Sequence, residues 1–228
     1  MVSEKEIMPV RVKFSKLGDL MYISHLDLSR TMQRIIVRSG VDIWYSEGFN
    51  PQPRIVFAMP LSVGMESTCE LMDFKINAYM PVEEIKERIS KNFPEEMKVL
   101  DVYTPEVKFK EIAYADYTLK LYVNEVSEEL CQKINSFVKK ECLVTKKTKS
   151  GEKEIDISPL VNSLEAKACD GYIEINTVVS AGNETILNPE LIVDAIKRET
   201  GILCADSIDE YYTIMRNKML YSNLKEFK

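Results

Sequence analysis

The chain holds a single histidine and a single tryptophan. Its five cysteines, Cys69, Cys131, Cys142, Cys169 and Cys204, are odd in number and widely spaced. A disulfide framework is therefore not expected, and reduced thiols are. No CxxC or CxxxCxxC occurs, which removes the local signature of a zinc ribbon or an iron–sulfur cluster. No run approaches the roughly 20 apolar residues that span a bilayer. The opening Met1-Val2-Ser3-Glu4-Lys5-Glu6 carries no basic segment ahead of an apolar one. A cytoplasmic protein without a membrane partner is the expectation. Gly18 and Gly64 stand alone, so no phosphate-cradling glycine loop is present.

What is there is ordinary for a globular chain. The 228 residues are 45% hydrophobic and 29% charged, enough for one large core or two small ones. The net charge of −6 argues against strong nonspecific affinity for nucleic acid. The charge is uneven, however: through residue 60, eight bases face six acids. An anion-binding face is expected in the first quarter of the chain.

Residues 10–14 alternate as a half-buried strand does, and 20–23 form a second short strand or a continuation. Ser24 followed by Asp27 marks a helix start, Leu28, Met32, Ile35 and Ile36 follow at helical spacing, and Gly40 is a natural stop. A helix is predicted over 25–39. Residues 42–46 are extended, 54–59 read as a strand, 60–68 as a loop and 69–77 as a strand. Pro81 opens a second helix, and 97–103 closes the unit as a strand. The second half repeats the order, with strands at 114–123, 143–149, 153–158, 172–179 and 207–215 and helices at 127–140 and 190–201. The predicted class is α+β, as two tandem ferredoxin-like (βαββαβ) units with antiparallel sheets. The units are expected at 1–104 and 113–228, joined by a linker over 105–112.

The densest chemistry lies in Ser46-Glu47-Gly48-Phe49-Asn50-Pro51-Gln52-Pro53. Gly48 permits positive φ, while Pro51 and Pro53 hold the backbone extended. Asn50 offers an amide and Phe49 a stacking ring. Sequence physics alone favours the plainer alternative, a structural turn that buries Phe49. His25 falls in the first helical turn, where a neutral imidazole can act as a base or bind a ligand. Helical geometry aims it at the apolar face, which makes a structural histidine the competing reading. Arg30, Arg34 and Arg38 share one helix face; the row suits phosphate groups, or equally a solvated face paired with Asp27. Trp44 and Tyr45 beside arginines suit stacking on single-stranded RNA, or a place in the core. Glu66 and Glu70 are close enough in sequence to form a carboxylate pair.

The string Ile23-Ser24-His25-Leu26-Asp27-Leu28 with Arg30 and Arg34 resembles a known family. So does 45–54, from Tyr45 through Arg54, followed by Phe57-Ala58-Met59-Pro60-Leu61, Gly64, Ser67 and Glu70. The resemblance is to domain of unknown function 2344, the radical SAM-linked proteins. It is specific over about residues 10–77, and it continues more loosely through 154–160. The resemblance implies a chain that works beside a radical-SAM enzyme in trans, with S-adenosylmethionine and the iron–sulfur cluster on that partner and no cofactor here. It also hints at RNA. The family often has a second histidine in the proline loop, where this chain has Gln52. The site residues expected are Arg30, Arg34, Tyr45, Ser46, Gly48, Phe49, Asn50, Pro51, Pro53, Arg54 and Glu70 for binding, with His25 as the catalytic candidate and no metal ligands. Three functions follow: an accessory module presenting RNA or a protein substrate to the enzyme, a metal-independent endoribonuclease using His25, or a protein–protein scaffold.

Overall fold

The computed structural model describes residues 7–137, 140–148, 151–182, 185–204 and 209–228. Of the expected elements, residues 138–139, 149 and 207–208 lie outside the described residues. The chain is a mixed α+β protein with antiparallel sheets and, among the described residues, four α-helices. It forms two compact units, Met1–Phe109 with Lys228, and Lys110–Phe227. Among the described residues, no helix is long and apolar enough to cross a membrane.

The first unit begins with strand β1, Met8–Lys16. Val10, Val12 and Phe14 point into the core. The other face is not solvated as simple alternation predicts, because Arg11 is also fully buried. The expected short strand after it is instead a 3-10 turn, Gly18–Tyr22. Gly18 takes φ +59 there, and its N–H donates to Glu66 Oε1 at 2.7 Å. Helix α1 runs His25–Arg38. The Asp27 N–H donates to Ser24 Oγ, and that hydroxyl donates to Asp27 Oδ2 at 2.7 Å, so both ends of the predicted cap are used. Leu28, Met32, Ile35 and Ile36 are the buried stripe.

Strand β2 is only Val56–Phe57, shorter than the expected 54–59. Strand β3, Met65–Ile76, begins inside the segment expected as a loop. Helix α2, Val82–Ser90, buries Ile85 and Ile89, and strand β4, Val99–Tyr103, completes the unit. The strands lie in the order β4–β1–β3–β2, each antiparallel to its neighbour. Both helices pack on one sheet face, over Val10, Val12, Phe14, Met72, Phe74 and Ile76. Since side chains alternate along a strand, Asp73 and Lys75 belong to the opposite face.

The second unit is built from β5 (Tyr114–Tyr122), α3 (Glu128–Phe137), β6 (Leu143–Thr148), β7 (Gly151–Asp156), β8 (Val161–Cys169), β9 (Tyr172–Ser180), α4 (Glu190–Thr200) and β10 (Tyr211–Leu220). Its sheet order is β10–β5–β9–β8, with β6 and β7 paired separately as a hairpin. Strand β8 was not predicted. Its sequence, VNSLEAKAC, is poor in β-branched and aromatic residues and buries only Ala166 fully. It forms by pairing with β9 across the Asp170-Gly171 turn, where Gly171 takes φ +80.

The base of the β6–β7 hairpin is tied by Asp156. Its Oδ1 accepts from the Ser158 N–H at 3.0 Å, the Cys142 N–H at 2.9 Å and the Ser158 hydroxyl at 2.8 Å. These bonds hold its carboxyl below the ordinary value, the backbone donors contributing most. A depressed folded-state value means the stabilisation is complete above the ordinary carboxylate range and is lost as pH falls through the depressed one. Urea unfolding followed by circular dichroism is therefore expected to show Asp156→Asn below the wild type at neutral pH. That gap should narrow as the solution is acidified.

Candidate functional site

The helix and the Gly/Pro segment meet within the first unit. The Gln33 side chain of α1 donates to the Pro53 carbonyl at 3.3 Å. The segment is a closed loop rather than a loose one. Tyr45 and Pro53 form an antiparallel bridge, and the Ser46 N–H donates to the Gln52 carbonyl at 3.0 Å. The Gln52 N–H donates to Ser46 Oγ at 3.1 Å, and its side chain donates to Asn50 Oδ1 at 3.2 Å. Gln52 thus closes the loop through both its backbone and its side chain. Gly48 takes φ +127, a value that a side chain disfavours, and turns the chain at the tip. Phe49, beside it, is fully exposed. The buried turn that sequence physics favoured is not what forms: the loop closes on itself through Ser46 and Gln52 and leaves this ring in water.

The arginines keep their charge on the surface. Arg30 Nη1 lies 3.4 Å from Asp27 Oδ1, with both side chains about 60% exposed (60% and 61%), a pairing of little energetic weight. Arg38 Nε donates to the Arg34 carbonyl at 3.3 Å and so caps the helix end. Arg34 is exposed and, among the described residues, its guanidinium has no partner. The same face exposes Leu26 at 58% and Val37 at 47%. Sequence reading missed these two; their signal was apolar residues placed off the buried stripe.

His25 is exposed, and its ring meets Phe57 edge-to-face at 5.2 Å between centroids. Phe57 in turn meets Phe14 at 6.5 Å. Among the described residues the imidazole has no hydrogen-bond or ion-pair partner.

Arg54 and Trp44 flank the loop but face a different space from Arg30 and Arg34. With Pro9, Val56, Asp73, Phe74, Lys75 and Pro105 they line a groove of about 360 Å³. The Trp44 backbone N–H donates to the Lys75 carbonyl at 2.8 Å, and Lys75 Nζ stands 5.7 Å from the indole centroid. Beneath the groove, Arg11 grips Asp73 with two bonds, Nε to Oδ1 at 2.7 Å and Nη2 to Oδ2 at 2.8 Å. Arg11 Nη2 also donates to the Val107 carbonyl at 2.9 Å, and its guanidinium lies 4.3 Å from the Phe109 ring centroid. The stretch expected as a linker thus supplies Val107 to the first unit. Burial pushes the Asp73 carboxyl above its usual value against the pull of Arg11, and burial also raises the Tyr103 hydroxyl. Asp73 and Lys75 were not predicted, although they alternate out of phase with the core residues Phe74 and Ile76.

Glu70 does not join the exposed group: it is 3% exposed on β3, opposite Phe14 of β1. Glu66 accepts from the Gly18 N–H, at the turn that follows β1. All five cysteines are free, and among the described residues no three His, Cys, Asp or Glu side chains gather as a metal set.

The chain is thus a mixed α+β protein whose first unit carries an aromatic-tipped loop tied to an arginine-bearing helix through Gln33. The family model described as "Uncharacterized protein conserved in bacteria (DUF2344)" matches residues 10–189, and the chain belongs to that family. No curated protein matches it. Among solved structures, an unknown protein from Galdieria sulphuraria is 9% identical, with 92% of this chain and 99% of that one covered and a TM-score of 0.27. A manganese complex of the DypB variant N246A is 10% identical, with 83% of each chain covered and a TM-score of 0.19.

Proposed function

We propose that the chain is an RNA-binding accessory module that serves a separate radical-SAM enzyme and carries no reaction of its own. The observation that carries this reading is Phe49, a fully exposed ring at the tip of an internally hydrogen-bonded loop that is tied to the arginine helix through Gln33. Exposed aromatics beside cations are what single-stranded nucleic acid binds, by stacking and by phosphate contact. The His25 ring abuts Phe57 rather than a carboxylate, which supports recognition over acid–base work. The radical-SAM partner comes from the resemblance of residues 10–77, and a cytoplasmic setting agrees with five free thiols. The β-α-β-β-α-β order with sheet order 4-1-3-2 supports reading each unit as ferredoxin-like, the second with an inserted β6–β7 hairpin.

The test is fluorescence anisotropy with labelled single-stranded RNA across a salt series. Binding is expected, and Arg30→Ala with Arg34→Ala should lower the slope of log K against log salt by about 1.4, the value for two lost phosphate contacts on a single strand. The melting temperature should stay within a degree or so, because neither side chain packs in the core. Absence of RNA binding, together with capture of a protein partner that survives ribonuclease treatment, overturns the reading and assigns the surface to a scaffold.

A further inference from the structure

We propose that the groove beside Trp44 is a subsite for one nucleotide, with the base against the indole and the phosphate between Arg54 and Lys75. The inference deepens the RNA reading and rests on it for the polymer to which that nucleotide belongs. The chemistry of the groove is independent of Phe49 and of the α1 arginines.

Its volume, about 360 Å³, is in the range of small-molecule sites. Its charge balance favours an anion. Asp73, the carboxylate in the wall, is already neutralised by fully buried Arg11. Arg54 is exposed and, among the described residues, makes no hydrogen bond or ion pair. Lys75 is exposed, and among the described residues its ammonium meets the Trp44 ring and makes no ion pair. A cation–π contact at such a site is worth about 0.5–1 kcal/mol, less than a charge-assisted bond to phosphate. An arriving phosphate therefore draws Nζ off the ring and opens the indole face to the base.

The wall also offers a reader for the base edge. Asp73 is 26% exposed while Arg11 is 0%, so the carboxylate shows one side to the groove and is held from the other. Each oxygen keeps a lone pair after the Arg11 bonds. The ligand that suits the groove is thus planar and aromatic, bears a phosphate, and has an amine to donate to Asp73. Adenine, cytosine and guanine nucleotides meet all three conditions; uracil lacks the amine.

Trp44 is the only tryptophan, so the intrinsic fluorescence of the full chain reports on this ring alone. Excitation at the red edge of the indole band avoids absorption by the base. AMP is expected to quench saturably, with adenosine and UMP each at least about tenfold weaker, and inorganic phosphate alone should change the emission only as far as lifting the Lys75 ammonium off the ring does, well short of the AMP quench. Arg54→Glu and Lys75→Glu, both at exposed positions, should each weaken AMP at least about tenfold with the melting temperature retained. No quenching by AMP, or quenching that both variants leave intact, overturns the subsite. Equal binding of AMP and UMP overturns the role given to Asp73. If RNA oligomers bind while AMP is silent, the groove proposal falls and the RNA reading stands. If AMP quenches while oligomers fail to bind, the RNA reading falls and the groove remains a nucleotide site.

Discussion

Asp73→Ala is expected to destabilise the first unit by about 3 kcal/mol, read as a fall in the urea midpoint of Trp44 fluorescence. The reason is the partner left behind. Arg11 is fully buried, and its guanidinium meets both Asp73 oxygens within 2.8 Å. Removing the carboxylate leaves a charge in a low-dielectric place with one strong anionic contact gone. Breaking a buried pair from one side costs about 3–5 kcal/mol, and the lower end applies because the Val107 carbonyl and the Phe109 ring stay in contact with Arg11. Adding Arg11→Met to Asp73→Ala should recover part of the loss, since the charge then leaves together with its partner. If the double variant is as unstable as the sum of the two single ones, the pair does not act as a unit and the account is wrong.

That pair also marks the limit of what the sequence conveyed. Local signals were read well: the cap at Ser24 and Asp27, the stripe from Leu28 to Ile36, and the stop at Gly40 all sit where propensity and spacing put them. The α+β class with antiparallel pairing was legible because adjacent strands without an intervening helix pair antiparallel. What failed was set by partners remote in sequence. Arg11 reads as the polar member of an alternating strand, and partners as remote as Asp73 and Val107, 62 and 96 residues away, help to bury it. Strand β8 has little intrinsic preference for a strand and exists through its pairing with β9. Arg54 reads as a neighbour of Arg30 and Arg34, yet the loop that ties Pro53 to Gln33 turns the next residue toward Trp44 and Lys75. Glu70 belongs to a motif that reads as functional, but β3 starts at Met65 and carries it inside. Phe49 failed in the opposite direction. Apolarity predicted burial, but the loop closed by Ser46 and Gln52 carries the ring out into water instead.

Phe49→Ala separates a recognition ring from a structural one more sharply than any other single change. A ring that touches nothing contributes almost nothing to folding, so the urea midpoint and melting temperature should move by less than about 0.5 kcal/mol equivalent. Stacking of one base on an aromatic side chain is worth about 1–3 kcal/mol by alanine substitution. The affinity for single-stranded RNA is therefore expected to fall by about 5- to 150-fold, with the salt slope unchanged because no phosphate contact is lost. Phe49→Trp should retain or raise affinity, since it keeps the flat face. A loss of stability without a loss of binding contradicts the exposed placement of the ring. Unchanged stability with unchanged binding assigns the loop tip to some other partner, and Arg30 and Arg34 would then have to hold the RNA without it.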